Sequence, residues 1–229
     1  NSDGWYTVDQ KVTVYYSDGR QKEVSYKDYA GYIRDGWFDY PVNYKNDYAT
    51  VLYDYINNNN IVYDSAFNLI HIDDDGIPEL VIRNNTSHAA GVNLYTYKNG
   101  KVIEQHWFDE NGEKFSGFGS FGDMEYNPQK GTFISHYSGM GHVMISVYSL
   151  SDTGEVSPIL NTHGTIADPL QSESYEVNGE TVSRSDYIDA LKPYGLSEYS
   201  EPDGVIAESA FGNDGYLLSD SEIKKVLGY

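Results

Sequence analysis

This 229-residue chain lacks several kinds of residue and segment, and each absence excludes a class of protein. It has no cysteine, so disulfide scaffolds, cysteine-ligated zinc and thiol catalysis are excluded. Cations are scarce: Lys plus Arg is 15 against 35 for Asp plus Glu, a net charge of −20. Such a surface repels phosphate backbones, so we expect no nucleic-acid partner. No apolar run is long enough to cross a bilayer, so we expect no transmembrane segment.

Aromatic residues, in contrast, are abundant. They make up 15% of the chain, and 23 of them are tyrosines. An acidic chain with this much aromatic content is not a disordered one, since it can bury a core. The charge is therefore interpreted as the solvated surface of a folded protein.

Hydrophobic periodicity divides the chain into helical ends and a β-rich centre. Period-two alternation and Asp-Gly or Asn-Gly turns predict antiparallel strands over 65–165. Helical spacing and capping residues predict helices near 26–34, 45–56, 185–192 and 219–227. We expect one α+β domain over 1–229, with a helical part (1–64), a central antiparallel β meander (65–165) and a mixed or helical part (166–229).

Two internal similarities suggest that parts of the chain repeat. The segment ELVIRNNTSHAAGVNLYTYKNGKVIEQ can be aligned with TFISHYSGMGHVMISVYSLSDTGEVSPIL as strand, loop, strand, turn, strand. This alignment predicts duplicated four-stranded units, although convergence on a hairpin pattern is an open alternative. The second similarity joins YYSDGRQKEVSYKDYAGYI to YEVNGETVSRSDYIDAL, each a hairpin followed by a helix that starts at Val-Ser.

The stretch HIDDDGIPEL, residues 71–80, has the spacing of a calcium loop with one ligand changed. Calcium loops place oxygen donors at alternate positions and a glycine, here Gly76, at the sharp bend. Position twelve is Ile82 rather than glutamate, and the flanks are strand-like, so this is no EF-hand. The candidate ligands in this register are His71, Asp73, Asp75, the carbonyl of Ile77, and Glu79.

The histidine at the first position decides what we expect of this loop. Calcium prefers hard oxygen ligands, and an imidazole at position 71 supplies none. We therefore expect the loop to keep its shape without strong calcium binding, with calcium as the one candidate cofactor. The hypothesis is that protonated His71 stands beside Asp73, Asp75 and Glu79 as an internal cation. The alternative is an acidic hairpin turn with no metal role.

HIDDDGIPELVIR followed by VNLYTYKNGKV resembles a family of uncharacterised secreted proteins and lipoproteins of gut-dwelling Gram-positive bacteria. Their pattern is close to "DIDGDGIPEL(I/V)I", then a "YTY" strand and an "(N/D)GKV" turn, and the likeness covers roughly 45–192. The resemblance implies export to the extracellular space or cell surface, with a removed leader and a lipid anchor as an option. It implies no known activity, and position 71 departs from the family's aspartate.

Other motifs carry weaker predictions. GFGSFG (117–122) matches a dinucleotide fingerprint, but strand and turn follow it, so we interpret it as a loop. His136 and His142 flank SGMG and are candidates to face each other across a hairpin. Trp5, Trp37 and Trp107 are candidates for sugar stacking. Tyr95, Tyr97 and Tyr148 alternate in strands, so some of these are expected to face solvent.

The sequence alone favours an exported, non-catalytic binding or accessory domain, with a glycan or cell-envelope component as the candidate partner. No nucleophile, metal-hydrolase or G-x-S-x-G motif is present. Two alternatives stay open: a secreted glycan hydrolase that uses a carboxylate pair, which nothing singles out from the 35 acids, and a structural envelope module. The oligomeric state is not predicted.

Overall fold

The computed structural model describes residues 10–59, 61, 65–83, 91–109, 111–119, 124–139, 141–165, 173–194, 196, 208–212 and 215–228. Within these ranges the chain forms helices and antiparallel sheets, which confirms the predicted α+β class. The helices are α1 (Tyr26–Arg34), α2 (Tyr44–Asn58), α3 (Arg184–Leu191) and α4 (Asp220–Leu227), with a short 3-10 turn at Lys192–Tyr194.

The strands fall into two larger sheets and two separate hairpins. In chain order they are β1 (Lys11–Tyr15), β2 (Gln21–Ser25), β3 (Ala66–Ile70), β4 (Glu79–Arg83), β5 (Val92–Lys98), β6 (Lys101–Glu104), β7 (Trp107–Phe108), β8 (Lys114–Phe115), β9 (Gly117–Phe118), β10 (Glu125–Asn127), β11 (Thr132–Gly139), β12 (His142–Leu150), β13 (Val156–Thr165), β14 (Ser174–Val177), β15 (Glu180–Thr181), β16 (Glu208–Ser209) and β17 (Tyr216–Leu217).

The smaller sheet has the order β17-β3-β4-β5-β6, and β9 also pairs with β5. The larger sheet has the order β15-β14-β13-β12-β11-β10-β16. The smaller sheet contains four neighbouring strands that are consecutive in the chain, β3–β6, whereas the larger contains six, β10–β15. Two antiparallel meanders are therefore present, but only one has four strands, and their duplication stays a prediction.

The described core forms four layers. Helices α2 and α4 cover one face of the smaller sheet through Tyr48, Leu52 and Ile223. The other face packs against part of the larger sheet, where Phe118 and Phe133 meet edge to face with ring centroids 5.0 Å apart. Helix α3 covers the far side of the larger sheet. Successive residues of a strand point to opposite faces of its sheet. Both faces of each sheet carry apolar residues, so each sheet is covered on both sides.

The helix ends show which helix boundaries follow from the local sequence. Ser183 accepts a hydrogen bond from the Asp186 N–H, and Ser219 accepts one from the Glu222 N–H, so both serines are N-caps. Helix α2 continues through Asn58, two residues beyond the predicted end at 56. The extra residues are exposed, and the helix end is held by Asn59, whose N–H and Nδ2 donate to the Tyr55 carbonyl at 3.0 and 2.9 Å.

Two strand predictions were wrong in detail. The β-branched and aromatic residues of KVIEQHWF predict one strand, but Lys101–Glu104 pairs with β5 while Trp107–Phe108 pairs with β8. Gly117–Phe118 of the glycine-rich stretch is a short strand against Val92–Asn93 rather than a loop. Residues 120–122 of that stretch lie outside the described part of the chain.

Gly91 tests the contact between β9 and β5. A Cβ added at this residue would lie 2.7 Å from the Phe118 carbonyl oxygen and 2.8 Å from two other backbone atoms. We expect Gly91→Ala to destabilise the protein by roughly 1–3 kcal/mol, because a backbone contact cannot yield as a side chain can. Urea unfolding measures this change.

Gly31→Ala is the matched control, because Gly31 lies in α1 and the nearest atom to an added Cβ is 4.0 Å away. Alanine there should stabilise by about 0.5–1 kcal/mol through helix propensity. An equal effect of the two substitutions would contradict the close approach at Gly91.

Candidate functional site

The acidic loop lies where the sequence predicted it, between two strands of one hairpin. Residues 71–78 join β3 to β4, and Ile70 pairs with Glu79 across the base. Gly76 has a φ of +81°, a conformation that suits glycine, so it makes the bend. The Asp75 N–H donates to Asp73 Oδ1 (3.2 Å), and the Ile77 N–H donates to Asp75 Oδ1 (2.7 Å). The two aspartates therefore each use one oxygen to hold the turn.

The second oxygens of these aspartates bind a lysine. Lys98, the last residue of β5, places its Nζ 2.6 Å from Asp73 Oδ2 and 2.6 Å from Asp75 Oδ2. The lysine side chain is only 6% exposed. Burial alone would lower the pKa of Lys98, but the hydrogen bonds and charges of the two aspartates outweigh it and raise that pKa. The loop thus contains an internal cation.

That cation is not the one predicted. His71 has an exposed side chain, while its carbonyl accepts a hydrogen bond from the Gln129 N–H at 3.0 Å. The position between Asp73 and Asp75 is taken by the Lys98 ammonium instead. Lys98 comes from a strand that pairs with β4, where Leu80 lies opposite Tyr95. Extending that register by three residues sets Lys98 beside the loop.

Glu79 is separated from the lysine contacts. It is 1% exposed, and its Oε2 accepts a hydrogen bond from the Ile72 N–H at 2.8 Å. Burial, followed by the charge of Asp73, raises its pKa from an ordinary 4.5 to about 8. We therefore expect the Glu79 carboxyl to be mostly protonated at pH 7. The Ile77 side chain is buried in the core.

A cleft of about 320 Å³ opens over the lysine and its two partners. Residues from four separate segments line it: Phe38, Tyr40, Asp73, Asp74, Asp75, Lys98, Asn99 and Asp152. Four of these are acids and one is a cation, so the lining carries 4 − 1 = 3 net negative charges when all are ionised. Phe38 and Tyr40 add two aromatic rings whose centroids are 5.3 Å apart.

The turn that carries Asp152 is fixed to the smaller sheet. Gln105 donates from Nε2 to the Gly154 carbonyl at 2.8 Å, and a Cβ on Gly154 would lie 2.5 Å from Lys98 Cγ. Gly154 therefore lets the β12–β13 turn pack directly on the lysine stem. The cleft is assembled from both sheets and does not depend on one loop.

The predicted aromatic candidates do not gather at this cleft. Trp107 stacks on Phe115 with ring centroids 4.5 Å apart, and Trp37 contacts Tyr16 and Tyr32. Trp5 lies outside the described residues.

The expectation that some of the three strand tyrosines face solvent was wrong. Tyr95 is 9% exposed, Tyr97 1% and Tyr148 6%. The reason is that α2 covers the face of β5 that carries Tyr95 and Tyr97, while the smaller sheet covers the face of β12 that carries Tyr148.

The histidine pair was also predicted wrongly. His136 lies opposite Ile145, whereas His142 lies opposite Gly139, so the two histidines point to opposite faces of the larger sheet. His142 instead approaches His163, on the next strand. In the described ranges, no group of three or more His, Cys, Asp or Glu side chains is placed to hold a metal.

Comparison of the chain with protein-family models, with curated proteins and with solved structures gives no match. Among the described helices, none combines the length and the apolar character that a bilayer crossing requires.

Lys98→Met tests the internal cation. Removing one partner of a buried ion pair leaves uncompensated charge, so we expect a loss of about 3–5 kcal/mol in the free energy of unfolding. Calcium should restore part of that loss, since it can occupy the space between two carboxylates, whereas the parent should not respond to calcium. Thermal unfolding with calcium, magnesium or chelator measures both effects.

Lys11→Met is the control, because Lys11 pairs with Glu23 on the surface with side chains 66% and 61% exposed. Surface ion pairs contribute little to the free energy of unfolding, so this variant should be as stable as the parent. A parent protein that is stabilised by calcium as much as Lys98→Met would show that the lysine does not fill the ion's place.

Glu79 should make stability fall as the pH rises. Its folded pKa of about 8 lies above the ordinary value of 4.5, so the folded state binds more protons between these values. The stabilisation from this group is complete below pH 4.5 and is lost towards pH 8, by an amount on the order of 5 kcal/mol. Glu79→Gln keeps an acceptor for the Ile72 N–H and cannot ionise, so it should remove that slope.

The measurement is the free energy of unfolding from urea titrations at several pH values between 5 and 9. Glu113→Gln, at an exposed position, serves as the control and should leave the slope as it is in the parent. An unchanged slope in Glu79→Gln would mean that Glu79 is ionised in the folded protein at neutral pH.

Proposed function

We propose that this protein is an exported, non-catalytic binding domain that takes a sugar residue of a cell-surface or envelope glycan into the acidic cleft. The observation that carries the proposal is the composition of the cleft. It combines the aromatic side chains of Phe38 and Tyr40 with the carboxylates of Asp74 and Asp152 and the amide of Asn99.

Each part of the cleft suits a different part of a sugar. Aromatic rings offer an apolar face for the C–H surface of a pyranose, and carboxylates and amides accept or donate hydrogen bonds to its hydroxyl groups. A volume of about 320 Å³ is at the lower end of small-molecule sites, which suits one sugar unit. The net charge of the lining favours neutral or amine-bearing sugars over acidic ones.

The arrangement of the acids supports binding rather than hydrolysis. Glycosidases need one protonated carboxyl and one ionised carboxylate that both reach the substrate. Asp73 and Asp75 are held by the same lysine at 2.6 Å. Glu79 has the raised pKa of a general acid, but it is buried and does not line the cleft.

Export is the second part of the proposal and rests on the resemblance of HIDDDGIPELVIR and the following YTY strand to secreted Gram-positive proteins. A surface with a net charge of −20 is consistent with a protein that works outside the cell. The absence of cysteine is equally compatible with this location.

The test is calorimetric titration in 150 mM salt with glucosamine, N-acetylglucosamine and galacturonate oligomers. The amine-bearing oligomer should bind most tightly and the acidic one not at all, because the cleft is negative. The double substitution Asp74→Asn with Asp152→Asn should weaken binding by about tenfold, equal to 1.4 kcal/mol. Reducing-sugar assays on the same mixtures should show no turnover.

A double control, Asp54→Asn with Asp189→Asn, changes the net charge equally at exposed positions away from the cleft. If the control weakens binding as much as the cleft variant, the interaction is general charge attraction and the proposed site is wrong. Release of reducing sugar that is lost in the cleft variant would favour the hydrolase.

A further inference from the structure

Two histidines meet on an open part of the larger sheet. His142 is the first residue of β12 and lies opposite Thr165, while His163 of β13 lies opposite Met144. Paired residues share a face, so these side chains all leave the same side of the sheet. Nδ1 of His142 is 3.1 Å from Nε2 of His163, and the rings are stacked with centroids 5.3 Å apart at 28°.

This end of the sheet is accessible to a ligand. The same face carries Phe133 and Tyr148 farther along the strands, and there it is buried under the smaller sheet. His142 lies six residues before Tyr148, about 20 Å along the strand. Beyond the covered part, Met144 is 49% exposed and the His163 side chain is 38% exposed.

We propose that His142 and His163 bind one transition-metal ion, with Cu²⁺ bound more tightly than Zn²⁺. Imidazole nitrogens suit copper, zinc and nickel, and Cu²⁺ is the strongest binder of the divalent series. With metal–nitrogen bonds of about 2.05 Å, nitrogens 3.1 Å apart subtend about 100° at the ion. That angle lies between the right angle of tetragonal copper and the tetrahedral angle of zinc.

The hydrogen bond now joining the rings must open when the ion binds. In that bond one nitrogen carries a proton and the other offers a lone pair, whereas the ion needs a lone pair from both. The terminal torsion of histidine is broad, so a small ring rotation aims both nitrogens at one point. The proton of His163 then lies on Nδ1, and that of His142 on Nε2.

Glu176 supports this tautomer of His163. It lies opposite His163 in the β13–β14 register, and its Oε2 is 4.0 Å from His163 Nδ1, the nitrogen that faces away from His142. A carboxylate behind a metal-binding imidazole orients the ring and makes it a stronger donor. Glu176 is therefore a positioning residue and not a ligand.

Other donors surround the pair. The Thr165 hydroxyl is 3.4 Å from His142 Nδ1, and Met144 lies next to His163 on the same face. A thioether is a soft ligand that copper accepts and calcium does not. Water completes the coordination on the solvent side. No residue of this site lines the acidic cleft, so the proposal is independent of the glycan function.

The experiment is a calorimetric titration of chelator-treated protein with Cu²⁺, using glycine as a competing ligand, together with electron paramagnetic resonance of the one-to-one complex. We expect one saturable site per chain and a spectrum with two nitrogen ligands. His142→Asn and His163→Asn should each weaken binding at least tenfold and remove one nitrogen from the spectrum. Glu176→Gln should weaken binding by roughly tenfold.

His71→Asn is the matched control, because His71 is exposed on the acidic loop and away from the pair. It should bind Cu²⁺ like the parent, and Ca²⁺ should not compete. Equal losses in His71→Asn and the two site variants would overturn the proposal, as would oxygen-only ligation in the parent spectrum or the absence of saturable binding. The parent spectrum decides the ligands even if a variant fails to fold.

Discussion

The ion pair of Lys98 with Asp73 and Asp75 is the interaction on which the rest of the site depends. The lysine ends a strand of the smaller sheet, and the aspartates belong to the loop of the neighbouring hairpin, so the contact fixes β5 against that loop. The β12–β13 turn packs on the lysine stem through Gly154. The two carboxylates outweigh the effect of burial on the charged lysine, because each accepts a hydrogen bond from its Nζ at 2.6 Å.

The same geometry explains how a calcium-like loop can exist without depending on calcium. In a metal-bound loop the alternate aspartates converge on an ion, and here they converge on an ammonium that is part of the chain. We therefore expect the loop to keep its bend whether or not calcium is present. The position of Glu79 fits this account, because a single lysine cannot neutralise three acids, and burial raises the pKa of the third acid to about 8, which favours its neutral form.

Local signals predicted much of the fold but not the partners at the site. The caps at Ser183 and Ser219, the bend at Gly76 and the two meanders follow from short-range chemistry. Lys98 was missed because its contact depends on the pairing of Leu80 with Tyr95, a register that neither strand specifies alone. The sequence signal for a buried ion pair was a lysine at the end of the apolar run VNLYTYK, in a chain with only 15 Lys and Arg residues.

Partial overlap of the two sheets also explains why similar residues have different surroundings. Tyr148 and Met144 lie on the same face of one strand, yet Tyr148 is 6% exposed and Met144 is 49% exposed. The smaller sheet covers only the Tyr148 end, where Phe118 and Phe133 fill the interface. Period-two alternation identifies the face of a strand but not how far its neighbour extends. The cleft forms where the two sheets meet, and the histidine pair lies where they separate, so the same packing determines the accessibility of both sites.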